Sequence, residues 1–440
     1  MPTFFAIVLI SFFVLGIISI LLYIPRIKYF RYAFKPVPKL KNDKTLHFGI
    51  IIPARNEFGT IQGLMKSLEQ QTYNKSNFDL YIIVADKNDP TVEYIHANYP
   101  DCQVLIDPDQ KSKANALDFA FQHILKSNKK YDAYIIIDAD DILDKDFLLE
   151  MNNACASNAD IVAPRKRIKN IFDKNPKSRT LFSNCSGLIN ALNDDLGNRY
   201  RDQHGIVDNI CGQGMLVSDR IIKKFGGWKF ETLAEDFELK AIAILEGYTT
   251  LYYPYAILYG EEPTSLGQTI NRRTRWLTGA MQCFFKYTKR IKKIIHPKGK
   301  PVNKSAFEYS YIIIPVVLIT VFAVLGTLCG IIGAIVYGAM HNPMWYWGLI
   351  VAGIILFTVY IDLVLFTLMA LKASHDSYQY LTKRQYLGVL LYHPIYLAGY
   401  MVAFANGFFL RNQQKWKPVK RINYQQNEDL YDNSKDTNNK

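Results

Sequence analysis

Four long apolar segments constrain this 440-residue chain more than any other feature of its sequence. Each is longer than the ~20 residues that an α-helix needs to cross the hydrocarbon core of a bilayer. They are residues 4–24, 311–337, 345–371 and 387–410. We therefore expect a multi-pass protein of the cell membrane, in which residues 309–410 form an α-helical transmembrane domain of about three hydrophobic segments.

The first apolar segment predicts the orientation of the chain. It is followed by four basic residues, Arg26, Lys28, Arg31 and Lys35. Such a basic flank stays on the cytoplasmic side of a membrane. The segment is too long for the ~7–15-residue core of a secretory signal, and no small-residue cleavage site follows it. The polar region from residue 40 to about 303 is thus predicted to be cytoplasmic, and its cysteines, which lack paired spacing, agree with reduced thiols.

The net charge of +13 does not require a nucleic acid partner. Much of the excess lies beside the apolar segments, at residues 287–304 and 415–421. Attraction of these lysines and arginines to anionic lipid headgroups explains their placement. We therefore predict anionic membrane lipids, and no nucleic acid, as partners.

Apolar runs alternate with amphipathic patterns in the predicted cytoplasmic region. The runs predict strands at residues 47–53, 80–85, 103–107 and 134–138. The amphipathic patterns predict helices at residues 60–71, 91–98 and 113–126. This alternation predicts a mostly parallel sheet with helices on both faces. Because neither a G-x-G-x-x-G after the first strand nor a G-x-x-x-x-G-K-[ST] occurs, acidic and basic side chains must hold any nucleotide.

The fourth predicted strand ends abruptly in carboxylates, in the run Tyr134–Asp141. Ligands of open α/β sheets lie at the carboxyl ends of the strands, so Asp138 and Asp140 lie where a ligand is expected. Two such carboxylates suit one hard divalent cation, Mg²⁺ or Mn²⁺, which usually bridges to substrate phosphates. The alternative for an isolated D-x-D pair is a solvated acidic turn, with Asp138 as a strand-end cap.

Further polar motifs stand in a fixed order along the chain. They are Ile52–Glu57, Ala85–Thr91, Lys111–Leu117, Gly212–Met215, Leu233–Leu239 and Arg272–Trp276. Together with the D-x-D pair, this order resembles the membrane-bound family 2 glycosyltransferases, the group of the hyaluronan, chitin, cellulose and poly-N-acetylglucosamine synthases. The resemblance extends from the first apolar segment to Trp416. It implies an α/β domain of the GT-A type (Rossmann-like) at residues 40–276, in the cytoplasm, in addition to the transmembrane helices.

The resemblance also implies roles for the acidic residues. Asp138 and Asp140 would hold the metal on the donor diphosphate, and Asp236 with Glu235 would supply the catalytic base. The chemistry agrees, because a metal neutralises the leaving diphosphate and a carboxylate takes the proton of the attacking hydroxyl. With one base and no second nucleophile, we expect inversion, and hence a β-linkage from an α-linked donor. The alternative for the acid pair is the amino-terminal cap of a helix.

The predicted donor-binding residues are Asp86, Lys113, Asp138, Arg272, Arg275 and Trp276. Asp86 corresponds to the residue that contacts uracil or ribose, and Lys113, at the start of a helix, could reach a phosphate. Arg272, Arg275 and Trp276 correspond to a Q/R-x-x-R-W motif that closes over the nucleotide, although Gln is more usual at the first position. The alternatives are ordinary solvation for Lys113, lipid headgroup contacts for the arginines, and a membrane-interface anchor for Trp276.

We therefore expect an inverting glycosyltransferase that moves a sugar from a UDP-sugar onto a growing cell-surface polysaccharide. Two alternatives stay open: single transfer to a lipid-linked acceptor, and a catalytically silent membrane module that binds a nucleotide or polysaccharide. An accessory membrane or export subunit is a further possible partner.

The remaining predicted boundaries are residues 1–30 for the first helix with its basic flank, 277–308 for a basic interfacial segment, and 411–440 for a polar tail. It stays open whether residues 387–410 cross the membrane fully, because Pro394 lies within this segment and basic residues follow it.

Overall fold

The computed structural model describes most of residues 31–313 and the helices near the carboxyl end. The described residues are 14, 31–127, 129–172, 177–313, 331–333, 335–336, 340 and 346–412. The predicted first apolar segment and the predicted polar tail lie almost entirely outside the described residues. The predicted segment at residues 311–337 is described only in part.

Eight strands form one sheet at the centre of the described chain. In chain order they are β1 (Phe48–Pro53), β2 (Phe78–Val84), β3 (Gln103–Ile106), β4 (Ala133–Ile136), β5 (Ile142–Leu143), β6 (Ile161–Ile168), β7 (Met215–Ser218) and β8 (Thr250–Gly260). Their order in space is β3-β2-β1-β4-β7-β6-β8-β5. The first four confirm the predicted strands, with ends that differ by two residues at most.

The strands β1 to β4 form a parallel half of the sheet. β1 pairs in parallel with β2 and with β4, and β2 pairs in parallel with β3. β1 and β4 are buried on both faces, which is why they read as continuous apolar runs. Because these strands are parallel, the carboxyl ends of β1, β2 and β4 meet at one edge of the sheet. The loops that carry Arg55, Asp86 and Asp138 begin at that edge.

The other half of the sheet is mixed, whereas a mostly parallel sheet was predicted. β7 is antiparallel to both β4 and β6, and β5 is antiparallel to β8. β6 and β8 are parallel, with an irregularity between Pro164 and Arg165. The prediction rested on β1 to β4, which pair with one another only in parallel, and no strand after residue 138 was predicted. A long connection, residues 169–214, precedes the antiparallel strand β7. Hydrophobic periodicity shows which faces are buried, but it does not show the direction in which a strand enters the sheet.

Helices cover both faces of the sheet. The α-helices of the described residues are α1 (Phe58–Glu69), α2 (Pro90–Asn98), α3 (Lys113–Lys126), α4 (Phe147–Ala154), α5 (Leu181–Ala191), α6 (Arg199–His204), α7 (Asp219–Phe225), α8 (Glu235–Glu246), α9 (Leu266–Lys292), α10 (Lys304–Phe307), α11 (Tyr346–Ala373), α12 (His375–Tyr378) and α13 (Lys383–Phe409). The predicted helices of the parallel half are confirmed as α1, α2 and α3. Ser112, Thr180 and Ser265 begin α3, α5 and α9, because each side-chain oxygen accepts a free backbone N–H of the first turn.

The core has one layer on each side of the sheet, since successive residues of a strand point to opposite faces. Ile51 of β1 and Ile136 of β4 pack with α3 and α8, and buried residues of α9 join this layer. Ile50 and Ile135 pack on the other side with α1 and α4. α9 is thus held against the sheet domain over part of its length.

The carboxyl-terminal helices are long and apolar. Within the described part of the chain, α13 has the length and composition that could cross a membrane. Five cysteines lie in the described residues, and all are free thiols, as predicted.

Candidate active site

The turn after β4 carries the two predicted metal ligands. The Asp138 side chain lies at the rim and is 27% exposed, whereas Asp140 and Asp141 are buried. Asp141 supports the turn, because its carboxylate accepts the backbone N–H of Asp138 at 3.2 Å and the Gln213 amide N–H at 2.9 Å. Burial, followed by the charges of Asp140 and Asp138, raises the pKa of Asp141 well above its ordinary value. Asp141 had no predicted role, and the structure assigns it this one.

Lys113 connects this turn to the second acidic group. Its Nζ donates hydrogen bonds to Asp138 Oδ1 at 2.5 Å and to the Gly212 carbonyl oxygen at 2.7 Å. The same Nζ lies 3.6 Å from Glu235 Oε1. Burial acts to lower the pKa of Lys113, but Asp138 and Glu235 outweigh it and hold this pKa above its ordinary value. The lysine is therefore a charged bridge between two carboxylates rather than a solvated helix residue.

Glu235 and Asp236 form the first turn of α8, where the helix dipole favours negative charge. Glu235 is buried, and burial raises its pKa to about 7 although Lys113 acts in the opposite direction. Asp236 is half-buried and accepts the backbone N–H groups of Gly212 at 2.8 Å and of Phe237 at 2.7 Å. Burial also raises the pKa of Asp236. Asp236 is the more accessible carboxylate of the pair.

Two glycines allow the main chain to approach these groups closely. A Cβ on Gly212 would lie 3.2 Å from both Glu235 Oε1 and Lys113 Nζ. Gly214 has a φ of +67°, and a Cβ there would meet Leu258 at 2.2 Å, so this position accommodates only glycine. The turn at residues 212–214 brings both acidic groups and Lys113 together. We refer to these residues as the Lys113 cluster: Lys113, Asp138, Gly212, Glu235 and Asp236.

Asp86 lies in the exposed loop after β2, a strand that ends at the same edge of the sheet as β4. Its Oδ1 accepts the backbone N–H of Asn88 at 2.9 Å. The neighbouring Asp89 is buried and caps α2, since it accepts the N–H of Thr91 at 2.9 Å and that of Asn56 at 3.2 Å. Asp89 thus has a structural role, and Asp86 remains the predicted donor contact in this loop.

The predicted arginine motif lies on α9, and the buried residue Glu262 fixes its position. The Glu262 side chain is 0% exposed and lies 3.1 Å from Lys166 Nζ, 3.6 Å from Arg272 Nη1 and 4.0 Å from Arg273 Nη2. Two side chains of α5 donate hydrogen bonds to the same carboxylate at 2.5 and 2.6 Å. Burial acts to raise the pKa of Glu262, but the three cations hold it well below its ordinary value. Glu262 is therefore an ionised anchor for α9.

Arg272, Arg275 and Trp276 all lie on α9. The two arginines are three positions apart, so they lie on the same side of this helix. Arg272 Nη1 donates to the carbonyl oxygen of Glu261 at 2.8 Å. The Trp276 ring lies 4.9 Å from the Arg272 guanidinium and 4.3 Å from that of Arg273. Arg275 is half-buried. In this structure Trp276 contributes to the packing of the arginine motif, and the contacts of the motif with a nucleotide remain predictions.

The residues after β4 have the donor set for a divalent cation. Asp138 and Asp140 provide carboxylate oxygens, which are the ligands that Mg²⁺ and Mn²⁺ prefer. Within the described ranges, no three His, Cys, Asp or Glu side chains are arranged to hold a metal by themselves. Mg²⁺ is commonly bound by one or two carboxylates together with substrate phosphates. The donor set thus fits a metal that binds with a diphosphate.

Strand β6 carries three basic residues for which no role was predicted. Lys166 reaches Glu262, while Arg165 and Arg167 both form ion pairs with Asp376 of α12. Through these ion pairs, strand β6 connects Glu262, the anchor of α9, with α12. A signal was available in the sequence, because three consecutive cations in an otherwise apolar strand need acidic partners once they are buried.

Two relatives show the kind of protein that this chain is similar to. It is 23% identical over 253 residues to "Probable glycosyltransferase YdaM" of Bacillus subtilis, which is 56% of this chain and 58% of that protein. It is 26% identical over 254 residues to the poly-beta-1,6-N-acetyl-D-glucosamine synthase of Staphylococcus aureus (strain MSSA476), which is 57% of this chain and 58% of that protein. The chain thus spans a little over half the length of each relative.

A solved structure shares the fold. It is the mannosyltransferase PcManGT of Pyrobaculum calidifontis in complex with GDP-Man and Mn2+, with a TM-score of 0.58 at 15% identity over 94% of this chain and 100% of that one. The model of the family described as "Glycosyl transferase family group 2" matches residues 134–410. This match begins in β4, just before the acidic turn, and includes the acid pair and the arginine motif, which confirms the resemblance predicted from the sequence. With its GT-A-like mixed sheet, the chain belongs to family group 2 of the glycosyl transferases.

Proposed function

We propose that this glycosyltransferase moves a sugar from a UDP-sugar, with inversion and with Mg²⁺ or Mn²⁺, onto a growing β-linked cell-surface polysaccharide at the cytoplasmic face of the cell membrane. The observation that carries the proposal is the Lys113 cluster. In it, Asp138 on the donor side and Glu235 of the acid pair approach one ammonium group, at 2.5 and 3.6 Å. A donor diphosphate held at Asp138 would therefore lie beside the acid pair, whose Asp236 is proposed to deprotonate the acceptor.

Asp236 is suited to be the catalytic base. It is the more accessible carboxylate of the pair, and burial raises its pKa, which makes it a better proton acceptor than an ordinary aspartate. The N–H groups of Gly212 and Phe237 hold its oxygens in a fixed orientation. Glu235 helps to hold Lys113 in position. With Asp236 as the single base, the acceptor hydroxyl attacks the anomeric carbon directly, and the configuration inverts.

Asp138 and Asp140 would hold the divalent cation, which when bound would neutralise charge on the leaving diphosphate. Lys113 supplies a further positive charge beside Asp138. Arg272 and Arg275 are proposed to grip the diphosphate, since planar guanidinium groups match phosphate oxygens two at a time. These cations stabilise negative charge that increases as the glycosidic bond breaks, so they favour the transition state over the bound donor.

Asp86 and Trp276 are proposed to complete the binding of the substrates. Asp86, exposed in the loop after β2, would contact the uracil or the ribose. Trp276 would stack on the nucleotide or the acceptor sugar, as aromatic faces do.

The polymer acceptor is supported by the relative that synthesises poly-beta-1,6-N-acetyl-D-glucosamine, a β-linked product. Inversion of an α-linked donor would produce the same anomeric configuration. The membrane location is supported by the four apolar segments and by the length of α13. Anionic lipids, a polysaccharide or lipid-linked acceptor and an export subunit are the proposed partners.

The function can be tested with the full chain purified in detergent. It is incubated with a panel of UDP-sugars and with GDP-mannose, in Mg²⁺ or Mn²⁺, while nucleotide release and product size are followed. We expect UDP release and a product that grows beyond one sugar, and neither from Asp236→Asn as the matched control. A single sugar on a lipid would favour the alternative acceptor. Release of GDP from GDP-mannose, without release of UDP from any UDP-sugar, would refute the UDP assignment.

A further inference from the structure

We propose that Lys240 is a positioning residue for the catalytic base, because its hydrogen bond to Asn209 fixes α8 against the chain segment at residues 209–212, which orients the Asp236 carboxylate. The inference rests on the proposed function, in which Asp236 takes the proton of the acceptor. Lys240 would act through Asn209 and not on the substrates themselves.

Lys240 is the one basic residue of α8, and it lies in an apolar part of that helix. It follows Asp236 by four positions, about one helical turn. Its neighbours Leu239 and Ala241–Ile244 are buried in the core, and the Lys240 side chain itself is only 1% exposed. An ammonium group in the interior is costly unless it is paired and hydrogen-bonded. The contacts of Lys240 should therefore show what offsets this cost.

Two polar groups meet the end of the Lys240 side chain. Its Nζ donates a hydrogen bond to Asn209 Oδ1 at 2.5 Å. The same Nζ lies 3.8 Å from Glu308 Oε1, an oxygen that also accepts Arg201 Nε at 2.7 Å. Burial, followed by the charge of Arg201, lowers the pKa of Lys240 to about 7, and Glu308 acts in the opposite direction. A neutral amine still carries N–H groups, so the bond to Asn209 is available in both protonation states.

The side chain of Asn209 is fixed with its oxygen towards Lys240. A lysine offers donors, so the amide oxygen of Asn209 must face it. The amide nitrogen then points the other way and donates to Asn193 Oδ1 at 2.7 Å. Asn193 Nδ2 donates in turn to Asp194 Oδ1 at 3.1 Å. The direction of donation is thus consistent along this chain of side chains.

The main chain of Asn209 is held as well. Asn198 Oδ1 accepts the N–H of Asn209 at 2.9 Å, and Asn198 Nδ2 donates to the Asn209 carbonyl oxygen at 3.0 Å. Asn198 is 0% exposed, and its Oδ1 accepts a further hydrogen bond from Arg201 Nη1 at 3.1 Å. Asn209 is therefore a fixed point to which Lys240 can attach α8.

The orientation of the Asp236 carboxylate depends on two elements. The N–H of Phe237, accepted at 2.7 Å, belongs to α8 and moves with it. The N–H of Gly212, accepted at 2.8 Å, belongs to the segment that begins at Asn209. If these two elements moved independently, they could not hold one carboxylate in one orientation. The position of α8 relative to Gly212 therefore determines where the base points.

Lys113 and Lys240 restrain this position at two separate points. Lys113 Nζ holds the Gly212 carbonyl oxygen at 2.7 Å. Lys240 holds Asn209, three residues earlier, from the next turn of α8. A single contact would leave α8 able to rotate relative to the segment, whereas two contacts restrain the rotation. A misplacement of about 1 Å is enough to lower a reaction rate by up to roughly a hundredfold.

The alternative is that Lys240 serves stability alone. Arg201 and Glu308 already form an ion pair at 2.7 Å, so Glu308 does not need Lys240 as its counter-charge. Replacement of a buried charge by an apolar side chain of similar size is often neutral for stability. Lys240→Met should therefore keep the fold, so that its effect on turnover can be separated from its effect on stability.

The positioning role is tested with the full chain purified in detergent, using the donor of the nucleotide-sugar panel that the wild type turns over fastest. For Lys240→Met we expect kcat to fall about tenfold or more. KM, and the affinity for UDP in calorimetric titration, should stay within about threefold of wild type. Tm should stay within about 4 °C. Wild-type kcat, or a loss confined to KM, would refute the proposal.

Tyr81→Phe is the matched control for stability. It removes a buried hydroxyl that shares a hydrogen bond of 2.7 Å with Tyr131, in the same core layer as α8. This bond takes no part in the link between α8 and Asn209. The control should keep kcat within about twofold of wild type. Equal losses of kcat in Tyr81→Phe and Lys240→Met would assign Lys240 to stability and refute the proposal.

Asn209→Ala, alone and combined with Lys240→Met, tests the link itself. The single variant should lower kcat in the same way, which provides a second test if Lys240→Met does not fold. The double variant should have the kcat of Asn209→Ala within about twofold, because both changes remove the same hydrogen bond. Losses that multiply would show independent action and refute the link. Full activity of Asp236→Asn, by contrast, would overturn the proposed base itself.

Discussion

Glu262→Gln is expected to lower the thermal stability of the protein and its catalytic efficiency together. The carboxylate is buried and is the counter-charge of Lys166, Arg272 and Arg273 at 3.1, 3.6 and 4.0 Å. It also accepts the Ser186 hydroxyl at 2.5 Å. Glutamine preserves the size of the side chain but removes the charge. Three cations in the interior would then lose their shared counter-charge, and the two arginines, which lie on α9, would lose their anchor.

The size of the effect follows from these contacts. Removing one partner of a buried ion pair costs about 3–5 kcal/mol. Arg272 and Arg273 keep their hydrogen bonds to the Glu261 carbonyl and to Ser186, so the lower end is expected, about 3 kcal/mol. For a domain of about 150–250 residues, the size of the predicted catalytic domain, 1 kcal/mol corresponds to roughly 2–4 °C, which gives a decrease in Tm of roughly 6–12 °C.

The effect should not depend on pH near neutrality. The folded-state pKa of Glu262 is held below its unfolded value. Its stabilisation is therefore fully present above the unfolded pKa of about 4.3 and is lost only as pH falls through the depressed folded pKa. The decrease in Tm should be the same at pH 6 and at pH 8.

The assay is thermal unfolding of wild type and variant in one detergent, with kcat/KM for the UDP-sugar measured in parallel. Glu231→Gln is the matched control, because this side chain is 80% exposed and forms a surface ion pair with Lys286 at 3.1 Å. Its loss should cost about 0–1 kcal/mol. A Tm for Glu262→Gln within about 2 °C of wild type would refute the role of Glu262 as the ionised anchor of α9. A decrease in Tm that differs between pH 6 and pH 8 would refute it as well.

Four further changes test the active site. Asp236→Asn should abolish sugar transfer while UDP binding stays within about threefold of wild type, because only the proton acceptor is removed; wild-type UDP release would exclude Asp236 as the base. Asp140→Ala, or excess EDTA, should weaken UDP binding in calorimetric titration as well as turnover, and full activity in EDTA would contradict a role for the metal. Arg275→Ala should lose about 2–5 kcal/mol in transition-state stabilisation, and Arg275→Lys should recover only part of it; full activity of the lysine variant, or an effect near ~1 kcal/mol that varies with anionic lipid, would assign Arg275 to headgroups. Lys113→Met should raise the pKa of Asp236, because Lys113 acts to lower it. The acidic limb of the pH profile of kcat/KM should then shift to higher pH by about one pH unit. An unchanged acidic limb would show that Lys113 does not act on the base.

Local features of the fold were predictable because they depend on near neighbours in the chain. Buried parallel strands read as apolar runs, so β1 to β4 were located to within two residues. Ser112 identifies the start of α3 by itself, through a cap that needs only the next few residues. The acidic turn at Asp138 could be assigned to the edge of the sheet for the same reason, since it directly follows a strand.

The partners of the charged residues were decided by the tertiary structure alone. Lys113 meets Asp138 and Glu235, and Glu262 meets Lys166 of a distant strand. Sequence spacing cannot predict such pairs, because they form only after separate elements pack. The direction of β7 and the bond between Lys240 and Asn209 are of the same kind. A lysine in an apolar stretch of a helix is costly to bury by itself, and only the groups packed against it determine whether that cost is offset.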